Sequence, residues 1–261
     1  MPLAFESGAR VETLNRIDST SAEATRRISV GERGPLWLIA IEQYGGYGRR
    51  GTPWVHGPGD LAATYIFEAR DFNGGAPLKD LARQSQLSFV AAVALHEALK
   101  RYAPQGDFTL KWPNDALLDG RKISGILLEL KDVPNGFVLC LGLGVNLINA
   151  PCPDGRQTAR LSKKSSGKAP QPAEFLRVYD EVFTVWQNEW NRSGFAPVRD
   201  AWLARAYGVG RDVILDIPDE KETARSITGK FLGIDMTGAL ILKVDGEEKV
   251  FSAGSLFFDK Q

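Results

Sequence analysis

Apolar residues are arranged in two different ways in the first 206 residues of the chain, as continuous runs and at helical spacing. Residues 36–41 and 61–67 are nearly continuous apolar runs, which is typical of buried strands, and we expect residues 36–41 to be buried on both faces. Residues 81–102 and 173–190 instead carry apolar residues three and four positions apart, which predicts two amphipathic helices. The pattern therefore predicts a sheet that is covered by helices.

Shorter segments complete this part of the chain. Residues 12–17 and 137–145 also read as strands, and residues 198–206 read as a short helix. The hydroxyl-rich residues 18–21 precede a helical stretch that starts at Ala22, and such residues are typical of a helix N-cap.

The pattern changes after residue 206 to short strands that are separated by glycine-containing turns, which is typical of a small β-barrel. We therefore predict an α+β fold. A larger domain over residues 1–206 contains a mixed sheet flanked by helices, and a small β-barrel follows over residues 207–261. The predicted barrel strands are residues 213–217, 224–232, 239–244 and 250–251.

The centre of the chain reads as a hairpin. Residues 108–112 are aromatic and β-branched enough to form a strand, and Pro113 ends it because proline cannot donate to a neighbouring strand. Asp119-Gly120 is a hairpin-turn signal, and residues 122–129 return as a second strand. This arrangement brings the residues beside Pro113 close to the start of the returning strand.

Four polar side chains of this hairpin are expected to converge on one cleft. Most of them carry a charge, which is costly to bury without a partner or a polar ligand. The alternative is a hairpin whose charged rim faces solvent, as charged residues usually do. The four residues are Lys111, Asn114, Asp115 and Lys122.

Residues 42–54 form a second candidate binding segment, because they combine several glycines with two adjacent arginines. Glycines allow close approach of a ligand to the backbone, and successive N–H groups can form a nest for an anion. Arg49 and Arg50 can fork onto phosphate oxygens. By itself such a loop is weak support for a site, because many are mobile surface.

Composition narrows the class of protein. The 32 basic and 32 acidic residues cancel, so charge gives no reason to expect a nucleic-acid or membrane surface. Cys140 and Cys152 lack metal-binding spacing, and we interpret both as reduced thiols. No apolar run is long enough to span a bilayer and no signal peptide is evident, so we expect a cytoplasmic protein. With two histidines in all, His56 and His96, a histidine-based mechanism is poorly supported, and we interpret His96 as a packing or surface residue.

The central stretch Lys111-Trp112-Pro113-Asn114-Asp115, followed by Arg121-Lys122 and a Gly-Ile-Leu-x-Glu run to Glu129, closely resembles the signature of biotin protein ligases. The glycine-rich segment is similar to the adenylate-binding loop of this family. The matching residues of the loop are Gln43, Gly46, Gly48, Arg49, Gly51 and Trp54.

Two further segments match the family, namely Ser19-Thr20 and the Gly-x-Gly-x-Asn run that ends at Asn146. The resemblance extends from about residue 16 to residue 258. It implies a class II synthetase-like catalytic domain with an SH3-like C-terminal barrel. It also implies the form without the N-terminal helix-turn-helix of repressor-type members, so regulation of DNA is not expected.

The resemblance implies that the chain activates biotin with ATP to form biotinyl-5'-AMP and transfers the biotinyl group to a lysine of a carrier. The implied partner is a biotin carboxyl carrier protein, such as the acetyl-CoA carboxylase subunit, or another biotin-dependent carboxylase domain. ATP and Mg²⁺ are the implied cofactors, and no metal ligand of the protein is assigned. A homodimer is left open, and neither nucleic acid nor membrane is expected as a partner.

The resemblance also assigns roles to residues. The implied catalytic residues are Lys122, Arg49 and Asp115. The implied biotin-binding residues are Ser19, Thr20, Ser21, Gln43, Gly46, Tyr47, Lys122 and Gly125. The implied nucleotide-binding residues are Gly46, Gly48, Arg49, Arg50, Gly51, Trp54, Asn114 and Asn146.

Two positions depart from the family pattern. Ser21 stands where the family usually has asparagine, and Tyr47 replaces the first arginine of the loop. Both positions handle the acid rather than the nucleotide, so we expect that adenylation is retained while affinity for the acid, or its identity, could differ. Two alternatives follow: a relative that acts on lipoate or another acid, and a non-catalytic module that binds a nucleotide or a small acid. Retention of Lys122 argues against the second of these.

Overall fold

The structure, a computed structural model, describes residues 5–68, 83, 85–134, 136–152, 158–164, 168–217 and 225–258. Its elements in chain order are β1 (Arg10–Ile17), α1 (Thr20–Ser29), β2 (Leu36–Gln43), β3 (Leu61–Phe67), α2 (Leu87–Tyr102), β4 (Phe108–Lys111), β5 (Asp115–Leu118), β6 (Arg121–Val133), β7 (Gly136–Val145), α3 (Pro172–Ser193), α4 (Phe195–Leu203), β8 (Asp212–Ile217), β9 (Arg225–Ile234), β10 (Leu240–Val244), β11 (Glu247–Phe251) and β12 (Ser255–Phe258).

Two sheets organise the molecule. The first has seven strands in the order β1-β2-β3-β7-β6-β5-β4, in which β1 and β2 are parallel and all other neighbours are antiparallel. The second has five antiparallel strands in the order β11-β10-β9-β8-β12. The predicted α+β fold, a mixed sheet with helices followed by a small C-terminal β-domain, is confirmed. Among the described helices, none is long and apolar enough to cross a membrane.

The seven-stranded sheet has two different faces, because successive side chains of a strand point to opposite sides. On one face Trp37 stacks on Tyr65 at 4.6 Å between ring centroids, and Tyr65 meets the edge of Phe183 from α3 at 6.2 Å. On the other face α1 packs with Ala24 and Ile28. The strand residues beneath α1 are Leu36, Leu38, Ile66, Val138 and Cys140.

The predicted hairpin over residues 108–129 is wrong in one respect, because a third strand lies between the two that we expected. Strand β5 pairs with β4 through Lys111 and Asp115, and with β6 through Asp115 and Gly125. Residues 116–118 are apolar and fully buried, and this burial favours a central strand over a loop. The Asp119-Gly120 turn is where we expected it, with φ angles of 51° and 74°, but it joins β5 to β6.

Three other expectations need correction. Ile41 is 58% exposed rather than buried, because β3 pairs with β2 only as far as Ile39. The short helix α4 ends before residue 206, because the backbone of residues 205 and 207 bonds to Leu110 of β4 instead. Strand β12 was not predicted, and its sequence gave little signal because it buries a single apolar side chain. The first residues of the helix predicted from residue 81 lie largely outside the described residues.

The C-terminal sheet packs directly against the larger domain. The indole N–H of Trp112 donates to the carbonyl of Gly238 at 3.1 Å, and Arg199 donates to the carbonyl of Ile234 at 2.7 Å. A Cβ on Gly238 would lie 2.3 Å from the ring of Phe89, so α2 and the second sheet are in close contact here. Because the apolar residues of both parts form one continuous cluster, the boundary between residues 206 and 207 stays a prediction.

A buried carboxylate fixes the N-terminal segment to the core. Asp180 of α3 is fully buried and accepts hydrogen bonds from the indole N–H of Trp37 at 2.7 Å and from the backbone N–H of Ser7 at 3.0 Å. The hydroxyl of Ser7 donates to the same carboxylate. Three donors therefore satisfy a charge that would otherwise be costly to bury.

We expect Asp180→Ala to lower the free energy of unfolding by about 1–3 kcal/mol or more, because it leaves the buried Trp37 N–H without an acceptor. The measurement is urea unfolding at equilibrium. Glu181→Ala is the control, because its carboxylate is exposed and makes a surface ion pair with Arg101. The control should change the free energy of unfolding by less than about 0.5 kcal/mol. Equal losses in the two variants would contradict the assigned role of Asp180.

Candidate active site

Strands β6 and β7 carry glycines at positions 125, 142 and 144 on the face that α1 covers, and we call the stretch that they line, beside α1 and the loop of residues 44–54, the groove. Gly125 pairs with Gly144, and two residues further along Leu127 lies opposite Gly142 on the same face. A Cβ on Gly144 would lie 2.4 Å from the indole of Trp54. The glycines therefore form a floor against which the Trp54 indole and the Ser21 hydroxyl lie directly on the backbone of the sheet.

The N-terminus of α1 forms one wall of this groove. Ser19, one residue of the predicted capping segment, is the N-cap, and its hydroxyl accepts a hydrogen bond from the N–H of Ala22 at 3.4 Å. The helix begins at Thr20, two residues before the predicted start. The next two residues, Thr20 and Ser21, are buried, and a Cβ on Gly142 would lie 2.9 Å from the Ser21 hydroxyl. The helix thus brings the Ser21 hydroxyl directly against the glycine floor.

The end of β2 adds an amide group to the same wall. The carbonyl oxygen of Gln43 accepts hydrogen bonds from the backbone N–H of Thr20 at 2.9 Å and from its hydroxyl at 3.3 Å. A Cβ on Gly46 would lie 2.3 Å from the Gln43 amide nitrogen, so glycine is required where the loop leaves the strand. Gln43 and the start of the loop are therefore held together.

The glycine-rich loop folds back on itself above the groove. The N–H of Trp54 donates to the carbonyl of Gly46 at 2.9 Å, and the N–H of Gly48 donates to the carbonyl of Thr52 at 2.7 Å. These bonds return the chain to its starting point and place the indole of Trp54 over Gly144. Five of the residues matched by sequence, Gln43, Gly46, Gly48, Trp54 and Gly125, are thus brought to one place.

Arg49 is held between this loop and the C-terminal sheet. Its guanidinium donates to the carbonyl of Gly254 at 3.2 Å. Burial and the neighbouring Arg50 lower the pKa of Arg49 from its ordinary value, and the Asp115 carboxylate opposes that shift. Since an arginine stays protonated in proteins, the result is a partly desolvated cation, which is suited to binding an anion.

Lys122 and Asp115 form an ion pair at the other wall, with 2.7 Å between the ammonium nitrogen and one carboxylate oxygen. The contact does not have the geometry of a hydrogen bond, so that buried carboxylate oxygen has none among the described residues. The Lys122 ammonium also lies 5.6 Å from the centre of the Trp54 ring. A cation and an anion therefore stand together beside Gly125, as the sequence predicted.

The two asparagines that the sequence pointed to support the walls. The Asn114 amide N–H donates to the carbonyl of Ile126, and the Asn146 amide N–H donates to the carbonyl of Ala159 at 3.1 Å. Both side-chain NH₂ groups are thus hydrogen-bonded to backbone carbonyl oxygens. The fourth residue of the predicted cleft, Lys111, has its ammonium 5.6 Å from the ring of Phe257 in β12.

Tyr47 lies farther along the groove, near Glu129. Its hydroxyl is 3.5 Å from one carboxylate oxygen of Glu129, and the other oxygen is 3.1 Å from the ammonium of Lys131. Burial, and then the Glu129 charge, raise the pKa of Tyr47. The tyrosine is therefore neutral, and the cation in this part of the groove comes from Lys131.

Sequence reasoning missed Lys131 and Thr64 as residues of this region. Lys131 could have been found, because the alternation along β6 places it on the same face as Gly125 and Glu129. Thr64 is fully buried in β3 and gave no local signal beyond being a hydroxyl in an apolar strand. Its neighbours lie more than forty positions earlier in the chain.

The described residues contain no group of three or more histidine, cysteine, aspartate or glutamate side chains that could hold a metal ion. The carboxylate of Asp115 is the acidic group at the centre of the site, and Lys122 already balances its charge. A divalent cation at this position would therefore take most of its ligands from phosphate oxygens and water.

We expect Gly144→Ala to displace the Trp54 indole, because the new methyl group would lie 2.4 Å from the ring. The fluorescence that Trp54 contributes should shift, and it is isolated by subtracting the spectrum of the matching Trp54→Phe protein. Gly48→Ala is the control, because its methyl group would have no neighbour closer than 3.5 Å. An unchanged Trp54 contribution in Gly144→Ala would contradict the described position of the ring.

Comparison with known proteins identifies relatives that cover most of the chain. The profile of the Biotin/lipoate A/B protein ligase family matches residues 14–146, and that of the Biotin protein ligase C terminal domain matches residues 221–259. The chain is 40% identical to the biotin--[acetyl-CoA-carboxylase] ligase of Paracoccus denitrificans, over 94% of this chain and 99% of the relative. It is 29% identical to the ligase of the same name from Mycobacterium tuberculosis, over 95% of this chain and 88% of the relative.

Solved structures agree in fold. The biotin protein ligase of Aquifex aeolicus in complex with biotin and ATP superposes with a TM-score of 0.78, at 23% identity, over 96% of this chain and 99% of that chain. The biotin protein ligase of Leishmania major in complex with biotinyl-5-AMP superposes with a TM-score of 0.62, at 19% identity, over 94% of this chain and 99% of that chain.

Proposed function

The chain belongs to the biotin protein ligases of the biotin/lipoate A/B protein ligase family, and on that premise we propose that it is an ATP-dependent biotin--protein ligase. It forms biotinyl-5'-AMP and transfers the biotinyl group to a lysine of a biotin carboxyl carrier protein. The observation that carries the proposal is the 40% identity to a ligase of this name along 94% of the chain. The Lys122–Asp115 pair beside a bare glycine floor supplies the matching chemistry.

The reaction needs two steps, because a carboxylate has no adequate leaving group for attack by an amine. In the first step a carboxylate oxygen of biotin attacks the α-phosphorus of ATP, and the bond from that phosphorus to the bridging oxygen breaks to release pyrophosphate. In the second step the lysine amine attacks the acyl carbon, AMP leaves with the bonding electrons, and the amine loses a proton. Negative charge accumulates on phosphate and carboxylate oxygens in the first step.

We propose that Lys122 and Arg49 are the cations that stabilise the negative charge on the phosphate and carboxylate oxygens. Preorganised donors at such positions typically contribute about 10²–10³ in rate each. Lys122 stands beside Gly125 at the end of the groove. In this proposal it binds both the acid and the α-phosphate. Arg49 is already held by Gly254 and partly desolvated, which strengthens its interaction with an anion.

Asp115 has three proposed tasks. Its ion pair with Lys122 keeps the ammonium in position until a phosphate competes for it. Once Lys122 turns to the phosphate, the carboxylate is free to orient the incoming lysine amine and accept its proton. Mg²⁺ enters the proposal together with ATP, since this ion is usually bound by one or two carboxylates and by substrate phosphates. Asp115 is the carboxylate that would contact it.

The acid lies along the groove in this proposal. Its ring meets the wall formed by Ser19, Thr20, Ser21 and Gln43, and its chain crosses the glycine floor toward Lys122. Tyr47 closes the groove above Glu129 without adding a charge. The nucleotide lies on the other side of Lys122. Its proposed contacts are the backbone of Gly46, Gly48 and Gly51, the side chains of Arg49, Arg50 and Trp54, and the amide oxygens of Asn114 and Asn146.

The alternatives raised by Ser21 and Tyr47 receive no support from the comparisons. The Paracoccus and Mycobacterium relatives are named for biotin transfer to acetyl-CoA carboxylase. A carrier domain of that enzyme is therefore the partner that we propose for this chain. A non-catalytic module is not favoured either, because Lys122 stands beside the glycine floor and Arg49 is present in the loop.

The first test is exchange of labelled pyrophosphate into ATP with biotin, and with lipoate and octanoate in parallel. We expect exchange with biotin alone, and we expect Lys122→Ala to lower its rate by about 10²-fold or more because the charge on the transferring group loses its cation. Lys243→Ala, on the exposed side of β10, is the matched control. Exchange with another acid in place of biotin would reassign the substrate. Absence of exchange with every acid by the folded protein would refute adenylation.

A second test follows the transfer step alone. Preformed biotinyl-5'-AMP is mixed with excess enzyme and a biotin carboxyl carrier domain, and biotinylated carrier is measured over time. Asp115→Asn should slow transfer by about 10²-fold, because the amine loses its proton acceptor. Asp212→Asn, an exposed position at the start of β8, should leave the rate unchanged. A normal transfer rate in Asp115→Asn would restrict this residue to the adenylation step.

A further inference from the structure

Four polar groups form an unbroken hydrogen-bonded row at the ring end of the groove. The hydroxyls of Ser21 and Thr64 are 3.2 Å apart, and the hydroxyl of Thr64 is 2.9 Å from that of Thr20. The Thr20 hydroxyl is in turn 3.3 Å from the carbonyl oxygen of Gln43. All four side chains are buried, and Thr64 is completely inaccessible to solvent.

The direction of every hydrogen bond in this row is fixed from one end. The backbone N–H of Thr20 donates to the Gln43 carbonyl oxygen, which identifies that atom as oxygen rather than nitrogen. The Thr20 hydroxyl has one hydrogen and gives it to the same oxygen. The Thr64 hydroxyl can then only donate to Thr20, and the Ser21 hydroxyl can only donate to Thr64.

This order leaves a defined pair of groups for a ligand. The Ser21 hydroxyl uses its hydrogen in the bond to Thr64, so its oxygen can only accept a hydrogen bond from a ligand. This oxygen lies next to the floor at Gly142. The Gln43 amide nitrogen takes part in none of the hydrogen bonds among the described residues, so it offers N–H donors beside Gly46. The wall therefore presents one acceptor and one donor, which complements a ring that carries an N–H next to a C=O.

We propose that Thr64 is a positioning residue for the acid, because it fixes the Ser21 hydroxyl as an acceptor and so selects a cyclic urea over a ring without polar groups. Thr64 does not touch the ligand, and it acts through Ser21. This inference rests on the proposed function, since it concerns the same groove and the same acid. It goes beyond that function in naming a residue of β3 as the origin of ring recognition.

The row also accounts for the short side chain at position 21. The serine hydroxyl lies 3.2 Å from that of Thr64 and also against Gly142, where a Cβ would come within 2.9 Å of it. Without Thr64, the Ser21 hydroxyl could turn its hydrogen toward the ligand N–H, and two donors would face each other.

The experiment compares Thr64→Val with Thr64→Ser in biotin-dependent pyrophosphate exchange. Valine keeps the shape of threonine but removes the hydroxyl, so we expect KM for biotin to rise by about 5- to 100-fold, as for one unpaired buried polar group. The rate at saturating biotin and KM for ATP should stay within about twofold of the parent protein, because Lys122 and Arg49 are untouched. Serine restores the hydroxyl and should restore KM for biotin.

Thr184→Val is the matched control, since the Thr184 hydroxyl in α3 is buried without a hydrogen-bond partner among the described residues. It should leave KM for biotin unchanged. Urea unfolding of every variant separates a general loss of stability from a specific loss of biotin affinity.

The outcomes separate the two proposals. Exchange by the parent protein with an unchanged KM in Thr64→Val would overturn the role of Thr64 and leave the ligase function standing. An equal fall in the saturated rate and in affinity, not rescued by serine, would show a merely structural role and would also overturn it. Failure of the parent protein to use biotin at all would overturn the ligase function, and the role of Thr64 with it.

Discussion

The approach of two backbones without side chains, where Gly125 of β6 pairs with Gly144 of β7, is the constraint on which the site depends. A methyl group at Gly144 would collide with the Trp54 ring, and one at Gly125 would lie 3.4 Å from the Lys122 ammonium. The loop above the floor, the cation at its end and the hydroxyl wall beside it are all placed by contact with this bare surface. A sheet with ordinary side chains here would hold the same residues apart.

Much of the fold follows from local patterns. The apolar runs that became β2 and β3 and the helical spacing in α2 and α3 were sufficient to predict a covered sheet, because burial dominates the energetics of such segments. Strand β5 could not be predicted in the same way. It has only four residues, and it is stabilised by pairing with β4 on one side and β6 on the other. A short stretch of sequence does not contain the information on this pairing.

The residues of the site also differ in how far the local sequence predicts them. Residues in continuous motifs, such as Lys122 and Asp115, were predicted because their spacing is itself the signal. Thr64 was missed because its role exists only through residues of α1 and β2, far away in sequence, and Lys131 because nothing in its own neighbourhood marks it as part of a groove. The two departures, Ser21 and Tyr47, acquire physical meaning only from such distant neighbours. Ser21 meets Thr64, and Tyr47 meets Glu129 beside a lysine from the same strand.

The hydrogen bond from Arg49 to the carbonyl of Gly254 links the glycine-rich loop to the C-terminal sheet. An arginine has five N–H donors, so it can keep this bond while it binds a phosphate, and each contact then restricts the side chain in favour of the other. If Arg49 binds a nucleotide phosphate as proposed, reciprocity requires that the nucleotide and the contact with Gly254 favour each other by the same free energy. Under the proposed function, the small sheet and the nucleotide are therefore coupled through a single side chain, that of Arg49.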